Sequence, residues 1–382
     1  MNIFMKGRIS RLFFFFFTAS LFFVSFSASK IFSEETNQTT SPKEEIMEAR
    51  ITDIVSEEEI ELMGETGLSQ KLELLITKGS LAERKIIIET GAAGIFSAGN
   101  PRYFVGDKLL ISYFKGIDEE ENFFIVDYSR KSSLLFLFLI FVILAVLVGG
   151  LWGATSLLGM GFSFLIIFKF ILPKIIQGYN PVLIAITGSL LIVPVTFYLS
   201  HGFNKKTHLS ISSTAATLVL TGLLSSFFVG SAKLTGFSTE EAGFLQAVTS
   251  GKIDMAALLL GGIIISVLGV LDDITVAQTS VAFQLKEVSP EISFKELYCR
   301  SMKVGRDHIS SMINTLVLVY AGTSLPLLLL FIDSSRSFSE AINYELVANE
   351  IVRTLVGSIG LVLAVPITTL LASFFLTRGK KD

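Results

Sequence analysis

The sequence predicts an α-helical polytopic membrane bundle of about seven transmembrane helices, with a small extracytoplasmic all-β domain and an N-terminal signal or anchor helix before it. Three observations predict this class. Apolar residues make up 51% of the 382-residue chain, and they gather into runs long enough for lipid. Acidic residues collect in one stretch, 33–131, which the long apolar runs avoid. Lys and Arg concentrate in alternate connections between the runs.

A membrane span needs roughly 20 apolar residues, with about 17 to 25 tolerated. The runs that approach or meet this are Leu12–Phe26, Leu134–Leu151, Thr155–Leu172, Pro181–Leu199, Ile211–Val229, Ala256–Leu271, Ile309–Ile332 and Leu355–Leu376. They divide the chain into three parts: 1–30, 33–131 and 132–382. In the first, Lys6, Arg8 and Arg11 precede the Phe13–Phe17 run, and Ser27-Ala28-Ser29 closes it. A basic region, an apolar region and small residues make a signal peptide, or an uncleaved anchor of the same topology.

Residues 33–131 alternate strand-like runs with turn clusters. The expected strands are Ile46–Val55, Lys71–Thr77, Lys85–Thr90, Asp107–Phe114 and Asn122–Tyr128. In the fourth, Leu109, Ile111 and Tyr113 alternate with Lys108, Leu110 and Ser112, the period of a half-buried strand. Lys78-Gly79-Ser80 and Gly99-Asn100-Pro101 supply the turns. Short strands at this spacing fit a small barrel or sandwich, OB-like in size.

Orientation follows from charge. With the N-terminus inside, the cytoplasmic segments hold Lys6, Arg8, Arg11, Lys205, Lys206, Lys286, Lys295, Arg300, Lys303, Arg306, Arg378, Lys380 and Lys381. The external loops hold only Lys174, Lys233, Lys252, Arg336 and Arg353. This bias puts the β-domain outside and the C-terminus in the cytoplasm. An acidic external domain argues against a nucleic-acid partner. The single cysteine, Cys299, allows no internal disulfide.

Within the bundle, helices without a hydrophobic drive to associate need small residues at their contacts. Gly149-Gly150-Leu151-Trp152-Gly153 and the line Gly262, Ser266, Gly269 offer them. Pro194, Pro326 and Pro366 fall inside spans and each removes a helical donor. Ionisable groups are scarce. Uncharged polar residues are commoner: Thr187, Ser189, Ser212, Ser213, Thr214, Thr217, Thr221, Asn314, Thr315, Thr368 and Thr369. They suit a weakly polar pathway better than a proton relay.

The most unusual segment is Asp272-Asp273-Ile274-Thr275, followed by Gln278, at the end of an apolar run. The oxygens of Asp272, Asp273, Thr275 and Gln278 are the candidate ion or solute pathway. The helical wheel puts Ile274, Ala277, Val281, Leu285 and Val288 on one face, and Asp272, Thr275, Thr279 and Lys286 on the other. That pattern predicts a cytoplasmic amphipathic helix. Ser293-Phe-Lys-Glu296 then reads as a capping box opening another, so amphipathic helices are expected near 272–308. Arg306, Asp307 and His308 stand where the next run begins, as gating partners or topology determinants. His201 and His208 fall short of a zinc site. The sequence has no phosphate-binding loop, no H-E-x-x-H and no G-x-S-x-G, so no ATP engine or common hydrolase is expected. Nor is a cofactor or metal centre.

Read in order, several segments resemble the YibE/F family of prokaryotic membrane proteins. These are Tyr128-Ser-Arg130, His201-Gly202 with Thr207, Gly269-Val-Leu-Asp272-Asp273-Ile-Thr275-Val-Ala-Gln278, Leu297-Tyr298 with Val304-Gly305-Arg306-Asp307-His308-Ile309, and Tyr320-Ala-Gly-Thr-Ser-Leu-Pro326. The resemblance implies a multi-pass protein of the prokaryotic plasma membrane with an external N-terminal domain. It carries over no catalytic residue. The expected function is a secondary transporter or channel for a small solute or ion, not an enzyme. The alternative is a membrane scaffold, or an envelope assembly or sensing protein, whose external domain binds a protein or glycan.

Overall fold

The computed structural model describes residues 44–62, 65–90, 102–116, 120–333 and 337–378. The expected signal or anchor at 1–30 lies outside the described residues. The rest divides into two compact units with their boundary at Leu144 and Ala145.

The first unit is built from β1 (Glu45–Leu62), β2 (Glu65–Lys78), β3 (Lys85–Thr90), β4 (Lys108–Lys115) and β5 (Glu121–Tyr128). They form one antiparallel sheet in the order β3-β2-β1-β4-β5. Alternate residues turn inward: Met47, Ala49 and Ile51 from β1, Leu72, Leu74 and Ile76 from β2, Ile86 and Ile88 from β3, and Leu109, Ile111 and Tyr113 from β4. Register shifts along β1, between Ile51 and Asp53 and again between Ile54 and Ser56, add twist and curl the sheet into a half-barrel. Its two edge strands are tied by Arg84, whose guanidinium pairs with Glu121 at 2.6 Å and lies over the Phe123 ring. The expected strands all form. The sandwich alternative does not: among the described residues there is one sheet, curled on itself.

β1 and β2 run longer than their apolar patterns indicate, because Ser56–Leu62 pairs with Glu65–Lys71 as a polar hairpin arm. One buried amide anchors it. Gln70 Nε2 donates to Glu57 at 2.8 Å and to the Tyr103 carbonyl at 3.1 Å, while its Oε1 accepts from Tyr103 N at 2.8 Å.

Exposed ion pairs on this sheet set its response to acid. Glu73 accepts from Lys85 at 2.6 Å and Thr52 at 3.0 Å, and those bonds hold its carboxyl below the usual range. Arg84 does the same for Glu121. A carboxyl depressed in the folded state adds stability above its unfolded pKa and loses it as pH falls through the folded value. Amides of β3 and β5 are therefore expected to lose protection from hydrogen exchange below about pH 4, after correction for intrinsic rates. Glu73→Gln with Glu121→Gln should flatten that dependence; an unchanged acid response in the double variant would remove these pairs as its cause.

The second unit carries the bundle. Its helices are α1 (Lys131–Ile166, beginning in the first unit), a π-helical turn at Ile167–Ile171, α2 (Leu172–Ile176), α3 (Pro181–His201), α4 (Lys205–Ser231), α5 (Glu240–Val248), α6 (Met255–Val288), α7 (Phe294–Thr323), α8 (Leu325–Asp333), α9 (Phe338–Ala341) and α10 (Glu345–Thr377). Five stretches are long and apolar enough to cross a membrane: Lys131–Ile176, Pro181–His201, Lys205–Ser231, Met255–Val288 and Glu345–Thr377.

The first stretch contains two of the predicted runs. At 46 residues and about 1.5 Å per residue it would far exceed a bilayer if straight. It is not straight: Gly150 adopts φ 57° and ψ −137°, outside helical geometry and open only to glycine. Beyond the break Gly153 returns so close to Ala145 that a Cβ there would overlap the Ala145 carbonyl. In an unbroken helix those residues would stand about 12 Å apart. The run Ile309–Ile332 is also divided, between the end of α7 and α8, with the junction at Ser324 just ahead of Pro326.

Polar residues start the bundle helices. Asn180 accepts from Val182 N and Leu183 N, Asn204 from Thr207 N, and Asp254 from Ala257 N. Ser293 caps α7 through Glu296 N. The expected capping box is only half made there, since Glu296 turns to Arg300 at 2.5 Å; the full reciprocal box forms at Ser337 and Glu340. At the opposite end from Asn204, the Glu345 carboxylate accepts from Thr235 N, Thr235 Oγ1 and Gly236 N at 2.7–2.9 Å, fixing the α4–α5 connection to the start of α10.

The bundle core is α4, α6 and α10, with α3 against α6 and α7 against α6 and α10. Small residues mark the close contacts, as lipid demands. They are not the ones the sequence singled out. Gly262 and Gly269 face open space, and the contact with α3 is made by Gly261, where a Cβ would lie 3.2 Å from the Pro181 carbonyl. The stripe was displaced by one residue because glycine identity alone does not say which side of a uniformly apolar helix faces the protein.

Candidate functional site

The centre of the bundle is polar. Along α4, Thr207, Ser210, Ser213, Thr214, Thr217, Thr221 and Ser225 are all buried, and they recur at helical spacing on the side turned to α6 and α10. Thr275, Gln278 and Thr279 come from α6, Thr368, Thr369 and Ser373 from α10, and Ser301 from α7. Among the described residues none of the fully buried polar side chains is basic. Of the polar residues noted in the sequence, Ser189, Ser213, Thr214, Thr217, Thr221, Thr368 and Thr369 are buried, whereas Thr187, Ser212, Asn314 and Thr315 are exposed.

The direction of the hydroxyl bonds matters more than their number. Ser213 donates to the Leu209 carbonyl, Thr217 to Ser213, Thr221 to Thr217, Thr275 to Leu271 and Thr369 to Val365. Each proton is spent on the residue's own helix, one turn back. The lone pairs of these five are what remain for the interior, while Ser210 donates across the seam to the Thr275 carbonyl at 3.4 Å.

Two junctions hold the seam together. Thr214 Oγ1 and Thr275 Oγ1 share a hydrogen bond of 2.8 Å between α4 and α6. Gln278 Nε2 donates to Thr369 Oγ1 at 2.7 Å and to the Ser301 carbonyl at 2.9 Å, joining α6, α10 and α7. Gly305 lies beside that amide, where a Cβ would overlap Val365 and crowd Gln278. Higher on α10, Gly360 packs so closely on Thr221 that a Cβ would overlap its hydroxyl.

The candidate carboxylates separate. Asp273 is exposed, within electrostatic range of His201 at the end of α3. Asp272 is half-buried, and its Oδ1 is enclosed with no hydrogen-bond partner among the described residues. It shares a helix face with Thr275 and Thr279, three and seven residues on. The expected amphipathic helix is thus corrected in its sense. α6 continues without a break through Asp272 to Val288, and its polar face, Thr275, Gln278 and Thr279, is buried while Ala277 and Val288 are exposed. The expected apolar face is split: Ile274 is buried, Val281 and Leu285 are half-buried, and Ala277 and Val288 are exposed, since in lipid apolar residues have no reason to avoid the surroundings and polar ones do.

Arg306, Asp307 and His308 stand on the exposed side of α7, next to buried Gly305, and are not drawn into the seam. A separate cleft of about 350 Å³ is lined by Trp152, Ser156, Ser200, His201, Asn204 and Lys206. It does not include Asp272. Among the described residues no group of three or more His, Cys, Asp or Glu comes together as a metal site.

Sequence reasoning missed Ser210, Ser225, Thr279 as an interior residue, Ser301 and Ser373. The signal that finds the α4 members is a hydroxyl every three or four residues along an otherwise apolar run.

No curated protein and no solved structure matches the chain. A family model does: the one described as YibE/F-like protein matches residues 137–378, from early in α1 to the end of α10, the region that contains the polar seam. The chain belongs to the YibE/F-like family of proteins.

Proposed function

We propose that the protein is a membrane transporter or channel, driven by a gradient, that passes a small solute or ion along the seam of α4, α6 and α10. One observation carries this reading: an apolar bundle encloses a line of buried hydroxyl groups along α4, α6 and α10. Burying polar groups in a membrane protein costs free energy unless they are satisfied. Ser225, Thr279, Ser301, Thr368, Ser373 and Asp272 Oδ1 have no partner among the described residues. Packing alone would be served as well by alanine. The close fit of Gly360 on Thr221 reads as the closed point of the path.

In this reading the protein has seven spans in the bundle region. The stretch Lys131–Ile176 passes twice, turning at Gly150, and α7 with α8 makes the sixth pass. The β-domain, OB-like in its strand number and curl, lies outside, and the C-terminus lies in the cytoplasm of a prokaryotic cell, behind an N-terminal signal or anchor. The pairing of Trp152 with His201 and Asn204 in one cleft supports it, since both turns then face the cytoplasm. Exposed Cys299 on α7 is accordingly expected to react with an impermeant maleimide only after cells are opened. Reaction in sealed cells would reverse the orientation.

The path itself is tested with Cys299→Ser carrying Thr217→Cys or Thr221→Cys. A water-filled route predicts labelling of both by a small charged thiosulfonate in membranes. Complete protection of both, with an exposed control cysteine labelled, would count against a path.

A second reading has its own observation. β5 is an edge strand, and Phe124 and Val126 are exposed on it. An open edge with apolar side chains accepts an added strand, so a scaffold whose external domain binds a protein or glycan is the alternative.

A further inference from the structure

We propose that the seam holds a binding site for a monovalent metal cation, formed by the Asp272 carboxylate and the Thr214–Thr275 hydroxyl pair. The proposal rests on the transport reading and names its cargo or coupling ion.

The hydrogen-bond directions give the sign of the charge. Thr275 Oγ1 donates to the Leu271 carbonyl at 3.0 Å. Its 2.8 Å bond with Thr214 is then donated by Thr214, whose own lone pairs stay open. Asp272, one turn before Thr275 on the same face, adds a carboxylate oxygen that is enclosed and unpartnered. One turn beyond, Thr279 is fully buried and its hydroxyl is unpartnered too. An enclosed carboxylate beside hydroxyl oxygens, with no buried basic side chain among the described residues, attracts a cation and repels an anion.

The charge state follows from there being one carboxylate. A single negative charge in a poorly solvated interior balances one positive charge; a divalent ion would leave an unpaired charge behind. Asp273 does not supply the second, because it faces outward.

The test uses the full-length protein in detergent and records the thermal midpoint against NaCl, KCl and LiCl, with choline chloride keeping ionic strength constant. CaCl₂ and a pH series run in parallel. A bound cation stabilises the state that binds it in a saturable way. One alkali cation is expected to raise the midpoint saturably over choline. Asp272→Asn should abolish the effect, and Thr214→Val should weaken half-saturation about tenfold or more. Thr214→Ser and Asp273→Asn should retain the response, which separates ligand loss from misfolding. The proposal is overturned if no alkali cation differs from choline, if calcium or pH alone gives the response, or if Asp272→Asn keeps it. The same preparations are assayed for flux after reconstitution. Flux without a cation response overturns the cation site and leaves transport standing. A cation response without flux for any solute does the reverse.

Discussion

Asp272→Asn is expected to lower solute flux in proteoliposomes by about a hundredfold or more, while Asp273→Asn, one residue along, leaves it within about threefold. The contrast follows from where the two carboxylates point. Asp272 Oδ1 is enclosed in the protein with no partner among the described residues, so its charge acts at low dielectric on whatever passes. A charged hydrogen-bonding group in such a place contributes up to about 3 kcal/mol, and each 1.4 kcal/mol is a factor of ten. Asp273 is exposed and solvated, and exposed charges contribute little. Asparagine nearly matches aspartate in shape, so both variants should purify with the wild-type elution profile. Equal losses in the two, or none in either, would dissolve the distinction the geometry draws.

Gly360→Ala is expected to destabilise the bundle by about 1–3 kcal/mol and to cut flux with it. The new methyl group would overlap Thr221 Oγ1 and stand 3.0 Å from its Cγ2, at a close contact of α4 and α10. Thr221→Ala removes both of those atoms. Adding it to Gly360→Ala should restore most of the lost stability, although Thr221 Cβ, 3.2 Å away, remains tight. Residues in contact show coupling of this kind and distant ones do not. Thermal midpoints of the two single variants and the double variant read it directly. Simple additivity of the two changes would place the helices further apart than the structure has them.

The β-domain was the most legible part of the sequence, because a half-buried strand writes its period into residues such as Leu109, Ile111 and Tyr113, all of which are core. The polar arm of β1 and β2 wrote no such period. Five helices able to cross a membrane were legible from apolar length, and Gly149-Gly150 marked a real break. Which face of each helix turns inward was not legible, since in lipid both faces are apolar. That is why the line Gly262, Ser266, Gly269 does not mark the contact and why the polar side of α6 is buried within the bundle. The Asp272 segment drew notice through its cost in an apolar run, and three of its four candidate residues, Asp272, Thr275 and Gln278, do turn inward; Asp273 does not. The contribution of α4 was only half visible. The sequence offers Ser213, Thr214, Thr217 and Thr221 as part of a weakly polar pathway, and only the structure shows that they share one buried side of α4, with Ser213, Thr217 and Thr221 bonded to their own helix and Thr214 to Thr275.

The central claim, that this seam conducts, is tested most directly by flux. Purified protein in proteoliposomes would be loaded and followed over alkali cations, halides and small neutral metabolites, with Asp272→Asn reconstituted beside it at equal density. The account predicts saturable passage of an alkali cation, or of a solute dependent on one, that the variant lacks. Proteoliposomes as tight as protein-free vesicles to every solute, with correctly inserted and folded protein, would contradict it and leave the external β-domain as the working part of the molecule.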